Sequence, residues 1–360
     1  MRIALIARSN LFTNPGGDTL YILNIKKYLE KYNVKADIIA KRKDFTLDYD
    51  VYNFFNLGDY KTLLPYLFEL KNKKMPVILH TLWLKNKEIE KMIIEIYKRY
   101  SRFKKIFNFG AKLVGELNFR NLLIFLNKFR RKRKESLILN LVSLIIVSSY
   151  TEKKFLLEYY SDLENLENKI YLLPIPILEE IQLINYKEKD FGGNKILFKD
   201  IIGKSFLLNV GRIDPFKNQI LILKALQNIE NIPIVFVLPD RNILSNPPQN
   251  FKSYYMEFKE LLEKRKNTYL YSNLTLEDLA FLYKNCKIYC HPSIFEPYGL
   301  SILEAYYFGA ELIITKYCGV KDFLDVSNIE FINNPLDELE LREKIIKKFN
   351  SQVKRDINNP

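Results

Sequence analysis

Cysteine and histidine are scarce in this 360-residue chain. There are three cysteines, Cys286, Cys290 and Cys318, and two histidines, His80 and His291. The cysteine count is odd and no Cys-x-x-Cys occurs, which argues against a disulfide framework and a zinc site and fits a reducing cytoplasm. Each cysteine reads as a small buried apolar residue. No apolar run reaches the ~20 residues that span a bilayer. Met1-Arg2-Ile3-Ala4-Leu5-Ile6-Ala7 is too short for a signal peptide and runs into a glycine loop, so it reads as the first strand of a domain. The expectation is a cytoplasmic protein, soluble or lying on a membrane.

What is present is globular: 48% hydrophobic and 27% charged residues, in a length sufficient for two domains. The net charge of +14 is uneven, because residues 101–135 hold eleven Lys or Arg against two Glu. Such a block suggests an anionic partner. Leu122-Leu123-Ile124-Phe125-Leu126 lies just before Arg130-Arg131-Lys132-Arg133-Lys134, and an apolar patch beside cations resembles a membrane-surface element. The plainer reading is a solvated face.

Continuous apolar runs predict buried parallel strands at 3–7, 36–40, 51–55, 77–80, 144–148 and 170–173. Helical periodicity predicts helices at 19–32, 60–72, 86–101, 111–129 and 151–160. A polar stretch with Gly192-Gly193 follows Pro174 and Pro176 and reads as a linker. A second set of strands is predicted at 206–210, 234–238, 269–271, 288–290 and 312–315, with helices at 217–228, 251–266, 275–285, 299–308 and 336–350. The implied division is a first α/β domain over 1–175, a linker over 176–204 and a second α/β domain over 205–340. A C-terminal helix and tail over 341–360 would pack back on the first domain.

The most informative segment is 291–309, His-Pro-Ser-Ile-Phe-Glu-Pro-Tyr-Gly-Leu-Ser-Ile-Leu-Glu-Ala-Tyr-Tyr-Phe-Gly. A strand leads into a proline loop and then a helix. The helix start at Tyr298-Gly299-Leu300 offers free backbone N–H groups and the positive dipole end, which suit a phosphate. Glu296 and Glu304 stand on either side, placed for sugar hydroxyls. Upstream, Val210-Gly211-Arg212-Ile213-Asp214-Pro215-Phe216-Lys217-Asn218 puts two cations after a strand, where α/β sheets bind ligands. Arg can fork onto two oxygens and Lys acts as a point charge.

The frame Pro-Ser-x-x-Glu-Pro-x-Gly-Leu-x-x-Leu-Glu-Ala, with Gly-Arg, four residues, Lys-Asn upstream, resembles the family-4 retaining glycosyltransferases. The resemblance implies a GT-B fold, two Rossmann-like doubly wound α/β domains facing each other across a cleft. It implies that Arg212 and Lys217 hold the donor diphosphate and stabilise the leaving group. Glu296 would orient the sugar hydroxyls and Glu304 bind the ribose, with Tyr298, Gly299 and Leu300 at the diphosphate. Backbone around Ser272, Asn273 and Leu274 would read the nucleobase edge. Gly16-Gly17 opens the first helix; without a third glycine it is a weak dinucleotide signal, but in the family a Gly-Gly here approaches the donor phosphate. His80 ends a strand, where many family members carry a sugar-binding histidine, though here in the context His80-Thr81-Leu82-Trp83. His291 reads as strand-end packing. Of the family loop at 315–322 only Gly319 and Asp322 match, and Pro174-Ile175-Pro176-Ile177 replaces a family motif altogether.

The expected activity is transfer of a sugar from a UDP- or GDP-sugar to a glycan, lipid-linked or other surface-polysaccharide acceptor. No protein nucleophile, metal motif or further cofactor is expected, and no nucleic acid. The inner face of the cytoplasmic membrane is the expected docking surface. The rivals are another GT-B activity (a phosphorylase or sugar-nucleotide epimerase), an inactive scaffold, and a basic module binding nucleic acid or membrane without catalysis.

Overall fold

The apolar runs become the strands of two parallel sheets, one in each of two compact units. The computed structural model describes residues 1–13, 16–100, 118–175 and 197–351. In chain order the first part gives β1 (Arg2–Ile6), α1 (Gly17–Lys31), β2 (Lys35–Ile39), β3 (Val51–Phe55), α2 (Tyr60–Asn72), β4 (Val77–His80), α3 (Lys87–Tyr100), α4 (Asn118–Leu141), β5 (Leu144–Val147), α5 (Tyr150–Tyr159) and β6 (Ile170–Leu172). The strands order as β2-β1-β3-β4-β5-β6. Tyr52, Phe54, Leu79, Ile138, Leu139, Leu156 and Tyr160 fill its core.

The second sheet is built from β7 (Leu207–Val210), α6 (Gln219–Ala225), β8 (Ile234–Leu238), α7 (Lys252–Lys264), β9 (Thr268–Ser272), α8 (Leu276–Asn285), β10 (Ile288–His291), α9 (Leu300–Tyr307), β11 (Glu311–Thr315), β12 (Ile329–Ile332) and α10 (Glu338–Asn350). Its order is β12-β11-β10-β7-β8-β9. β7 and β10 are the neighbours between which the order reverses, the place where open α/β sheets bind ligands at the strands' C-terminal ends. Both loops singled out in the sequence leave from there.

Several features differ from the sequence reading. The helix expected over 111–129 instead runs Asn118–Leu141, and residues 101–117 lie outside the described residues. The basic run Arg130–Lys134 is therefore helix interior. Arg and Lys are good helix formers, and buried Glu135, Ile138 and Leu139 anchor the following turns at helical spacing. α3 joins the second unit although it follows the first unit's β4. Its Tyr100 ring meets Tyr254 edge-on at 5.0 Å, and Tyr97 lies 5.9 Å from Phe216. The second unit reaches into the expected linker: Phe198 and Ile201 are buried, and Phe198 stacks on Phe281 at 5.3 Å. Strand β12 went unread because Ile329-Glu330-Phe331-Ile332 is short and follows two irregular turns. As for the C-terminal helix, Leu341 and Ile345 are buried, and Arg342 Nε donates to the Ala225 carbonyl at 2.7 Å, so α10 packs within the second unit.

Candidate active site

At the end of β7 the chain turns through Gly211, whose φ of 152° favours glycine. Asp214 organises the turn between β7 and α6. Its Oδ1 accepts the Phe216 N–H at 2.8 Å, and its carbonyl accepts the N–H of Lys217 at 2.9 Å and of Asn218 at 3.1 Å. Burial raises the Asp214 pKa, and Arg212 and Lys217 pull it back. This tight turn throws Lys217 towards the loop after β10, and the Ile294 N–H donates to the Phe216 carbonyl at 2.7 Å. The Arg212 guanidinium makes no hydrogen bond or ion pair with the described residues; only its backbone carbonyl is used, by Gln219 Nε2 at 2.8 Å.

The loop after β10 is fixed by its backbone. The Glu296 N–H donates to the Tyr317 carbonyl at 2.8 Å. The Glu296 carbonyl accepts from Gly319 at 3.1 Å, and Val320 N–H donates to the Tyr298 carbonyl at 2.9 Å. Thus the 315–322 segment serves as a brace for the motif loop, with Cys318 bridged to Glu296. Gly299 caps α9 with φ 108°, and a Cβ there would meet Ile302 Cδ1 at 2.9 Å and Glu296 Cγ at 3.2 Å. Glycine is required twice over, by conformation and by space. The first bonds into α9 come from Ile302 and Leu303 to the Gly299 carbonyl, so the earlier N–H groups point off the helix end.

Glu296 Oε2 accepts from Lys217 Nζ and from His291 Nε2 at 3.1 Å. Burial opposes ionisation of Glu296, but the Lys217 ammonium and the His291 N–H outweigh it and hold its pKa near about 2. Glu304, on α9, accepts from the Tyr283 hydroxyl at 2.8 Å. Burial pushes Glu304 up to about 7 against that bond. Two glutamates eight positions apart therefore differ widely in acidity, with Glu296 much the stronger acid. The Oε1 atom of each has no hydrogen bond among the described residues.

Ser272 ends β9, the sheet's edge strand, and Asn273 and Leu274 follow it, with Asn273 at φ 56°. They stand two strands from β7, about 10 Å along the sheet. The expected cap forms: Thr275 Oγ1 accepts from Asp278 N–H at 3.2 Å, and Asp278 Oδ2 from Thr275 N–H at 3.1 Å.

In the first unit, Gly16 and Gly17 sit at the start of α1, and Gly16 N–H donates to Thr19 Oγ1 at 3.0 Å. A Cβ on Gly17 would meet nothing within 4 Å. Beside them Arg8 forks onto Asp18, at 2.6 and 3.1 Å. His80 is 3% exposed; its Nδ1 meets the Tyr21 hydroxyl at 2.8 Å and its ring stacks on Phe55 at 4.7 Å. His80 Nε2 is buried without a partner. Burial lowers its pKa to about 3, so the imidazole is neutral.

The structure thus brings Arg212, Lys217, Glu296, Tyr298, Gly299, Leu300 and Glu304 to one end of the second sheet. Tyr283, Tyr289, Asp214 and His291 belong to this cluster and were missed. His291 is not mere packing, since it bonds Glu296. The one signal in the sequence was alternation: Tyr289 and His291 are two apart on a strand and share a face.

Residues 198–357 match the family described as glycosyl transferases, group 1. Sucrose-phosphate synthase of Spinacia oleracea is 21% identical over 184 residues, 45% of this chain and 17% of that protein, so the chain matches about a sixth of that relative's length. Among solved structures, sucrose-phosphate synthase of Thermosynechococcus elongatus aligns with TM-score 0.69 at 14% identity, over 97% of this chain and 90% of that one. HepE of Anabaena, in complex with UDP and glucose, aligns with TM-score 0.64 at 15% identity over the same shares. The UDP-forming trehalose-phosphate synthase of Burkholderia xenovorans, in complex with glucose-6-phosphate, gives TM-score 0.64 at 11% identity, over 98% and 92%. These likenesses match the two parallel six-stranded sheets and their helices: the fold is GT-B.

Proposed function

We propose, from the match of residues 198–357 to the group 1 glycosyl transferases and from the GT-B fold, that the chain transfers a sugar, with retention, from a UDP-sugar to a sugar or lipid-linked glycan acceptor. The observation that carries the reading is the meeting of Lys217, Glu296 and the Gly299 helix start at the point where the second sheet reverses order.

The chemistry follows from charge. A nucleoside diphosphate leaves with negative charge growing on its outer phosphate. Arg212, Lys217 and the N–H groups at the start of α9 are donors aimed at an anion there, and preorganised donors of this kind supply the largest stabilisation in such a step. Glu296 and Glu304 each keep one oxygen for hydroxyl donors, of the sugar and the ribose respectively. The bond from the sugar's anomeric carbon to the phosphate oxygen breaks, and the acceptor oxygen bonds that carbon on the same face. The acceptor proton passes to the departing phosphate oxygen, which leaves no task for a protein nucleophile. Gly16, Gly17 and His80 take the roles given by the family resemblance, at the phosphate and the sugar. Ser272, Asn273 and Leu274 meet the base. UDP is preferred over GDP because HepE is seen in complex with UDP and the similar trehalose-phosphate synthase is UDP-forming.

Arg130, Arg133 and Lys134 stand exposed on α4. They are read as a docking surface for an anionic membrane in the cytoplasm; the side chains of the cations at 101–129 lie outside the described residues. Among the described residues no helix is long and apolar enough to cross a membrane.

Thermal stabilisation by a panel of UDP-, GDP- and ADP-sugars tests the reading. A shift for UDP-sugars that is lost in Glu304→Ala is expected. No shift with any nucleotide would overturn it.

A further inference from the structure

Glu296 Oε2 is held by two donors of different character. Lys217 is a cation on a flexible stem, 27% exposed at the side chain, whereas His291 is a rigid ring only 2% exposed. Behind the ring a chain of hydroxyls continues inward. His291 Nδ1 is 3.2 Å from the Tyr289 hydroxyl, and that hydroxyl is 2.8 Å from Ser301 Oγ in the first turn of α9. The chain thus ties Glu296 through β10 to the helix whose start faces the diphosphate.

Its polarity follows from proton counting. A carboxylate oxygen only accepts, so the nitrogen facing it must carry the hydrogen. That places the proton of a neutral imidazole on Nε2 and leaves a lone pair on Nδ1. The Tyr289 hydroxyl has one hydrogen and three acceptors in reach, His291 Nδ1 at 3.2 Å, Ser301 Oγ at 2.8 Å and the Val210 carbonyl at 3.4 Å; with only a lone pair on Nδ1, Tyr289 donates to it when Ser301 in turn donates to the Tyr289 oxygen. Burial and the Lys217 cation lower the His291 pKa and outweigh the Glu296 bond, which raises it, so the neutral ring is favoured. A diphosphate in the site competes with Glu296 for Lys217, because both are anions and Lys217 is one point charge. Once Lys217 turns to phosphate, the His291 N–H is the remaining side-chain donor on Glu296 among the described residues.

We propose that His291 is the positioning residue of Glu296: with its proton on Nε2, set by Tyr289, it holds the carboxylate on the donor sugar while Lys217 serves the diphosphate. This rests on the donor-site reading above. It implies that Glu296 orientation is independent of whether Lys217 is engaged.

The chain's two histidines make the test direct. Nitrogen-15 labelling of histidine gives two imidazole spin systems, and the one lost in His291→Gln is His291. A neutral ring protonated on Nε2 is expected at pH 7, with the tautomer balance disturbed in Tyr289→Phe. An imidazolium, or a proton on Nδ1, would overturn the proposal whatever the donor. The second arm compares UDP with UDP-glucose. In His291→Leu, UDP affinity should stay within about 2-fold of wild type, while turnover of UDP-glucose falls about 10- to 100-fold, as expected for a misplaced orienting group. His291→Gln, which keeps an N–H donor near the Nε2 position, should recover most of the loss. Equal weakening of UDP and UDP-glucose would mean a merely structural histidine and sink the idea. Wild type that binds neither would overturn the donor reading and the sugar-orienting role with it, while the imidazole signature still decides the hydrogen-bonded chain.

Discussion

Each unit buries carboxylates near the C-terminal end of its sheet, and the two sets are used in opposite ways. In the first unit Glu152 is fully buried, and four donors saturate it: Thr81 Oγ1 and Trp83 N–H at 2.6 Å, Ser148 N–H and Oγ at 2.7 Å. Glu135, also fully buried, takes Lys85 at 3.0 Å, Arg131 at 2.8 Å and Tyr160 at 2.6 Å. Nothing is left on Glu152 for a ligand; it pins the loop in which Leu82 is held at φ 43°. In the second unit Glu296 and Glu304 each keep Oε1 uncommitted among the described residues. A buried charge with all its bonds made inside the protein is architecture, and one with an oxygen to spare is a site.

The sharpest way to break this contrast is at Lys217. Lys217→Ala should lower turnover about 100- to 1000-fold, the cost of losing a preorganised donor at a developing anion, while the circular dichroism spectrum is kept. Wild-type initial rates would end the assignment. Next is Glu152→Gln, which turns an amide N–H2 towards a backbone donor. Removing one partner from a buried charged network costs about 3–5 kcal/mol, so a large fall in Tm is expected. Glu304→Gln should change Tm little yet weaken donor binding measurably; equal losses of stability in both variants would erase the distinction.

Acidity separates the glutamates further. Glu304 is pushed up to about 7 and Glu296 held at about 2. Ribose hydroxyls need an ionised acceptor, so donor affinity should rise as pH climbs through about 7 and fall as Glu304 takes a proton below it. Calorimetric titration of UDP between about pH 5.5 and 8.5 checks this, and Glu304→Gln should flatten the profile. His80, at about 3, should add no step in that range.

The smallest effect concerns glycine. Gly299→Ala should lower Tm, since φ 108° and a contact at 2.9 Å both resist a Cβ. Gly17→Ala should leave Tm unchanged or raise it slightly, by at most about 1 kcal/mol, through lost chain entropy in the unfolded state. A fall at Gly17 as large as at Gly299 would show that the first unit's glycine is also structural.

Much of this was readable beforehand, for physical reasons. β8 was placed residue for residue because a five-residue apolar run between turns has one reading. The Thr275 cap was legible because capping is local chemistry. The end of the basic helix was not legible because a run of charge carries no helical period and its register is set by Ile138 and Leu139 one turn later, while Arg130, Arg133 and Lys134 do lie exposed. His291 was misjudged because no periodicity distinguishes a packed ring from one bonded to a residue in a neighbouring loop.

The sequence by itself determined the strands other than β12, the glycine turns, the helix start at Gly299 and the two cations after β7, since these depend on neighbours within a few residues. Only the tertiary structure decided the rest: that β7 and β10 lie side by side, that Lys217 and His291 share one oxygen of Glu296, and that Glu304 meets Tyr283 in a dry setting. Those outcomes need residues 79 positions apart to touch and water to be excluded around them, and no local rule of sequence carries either.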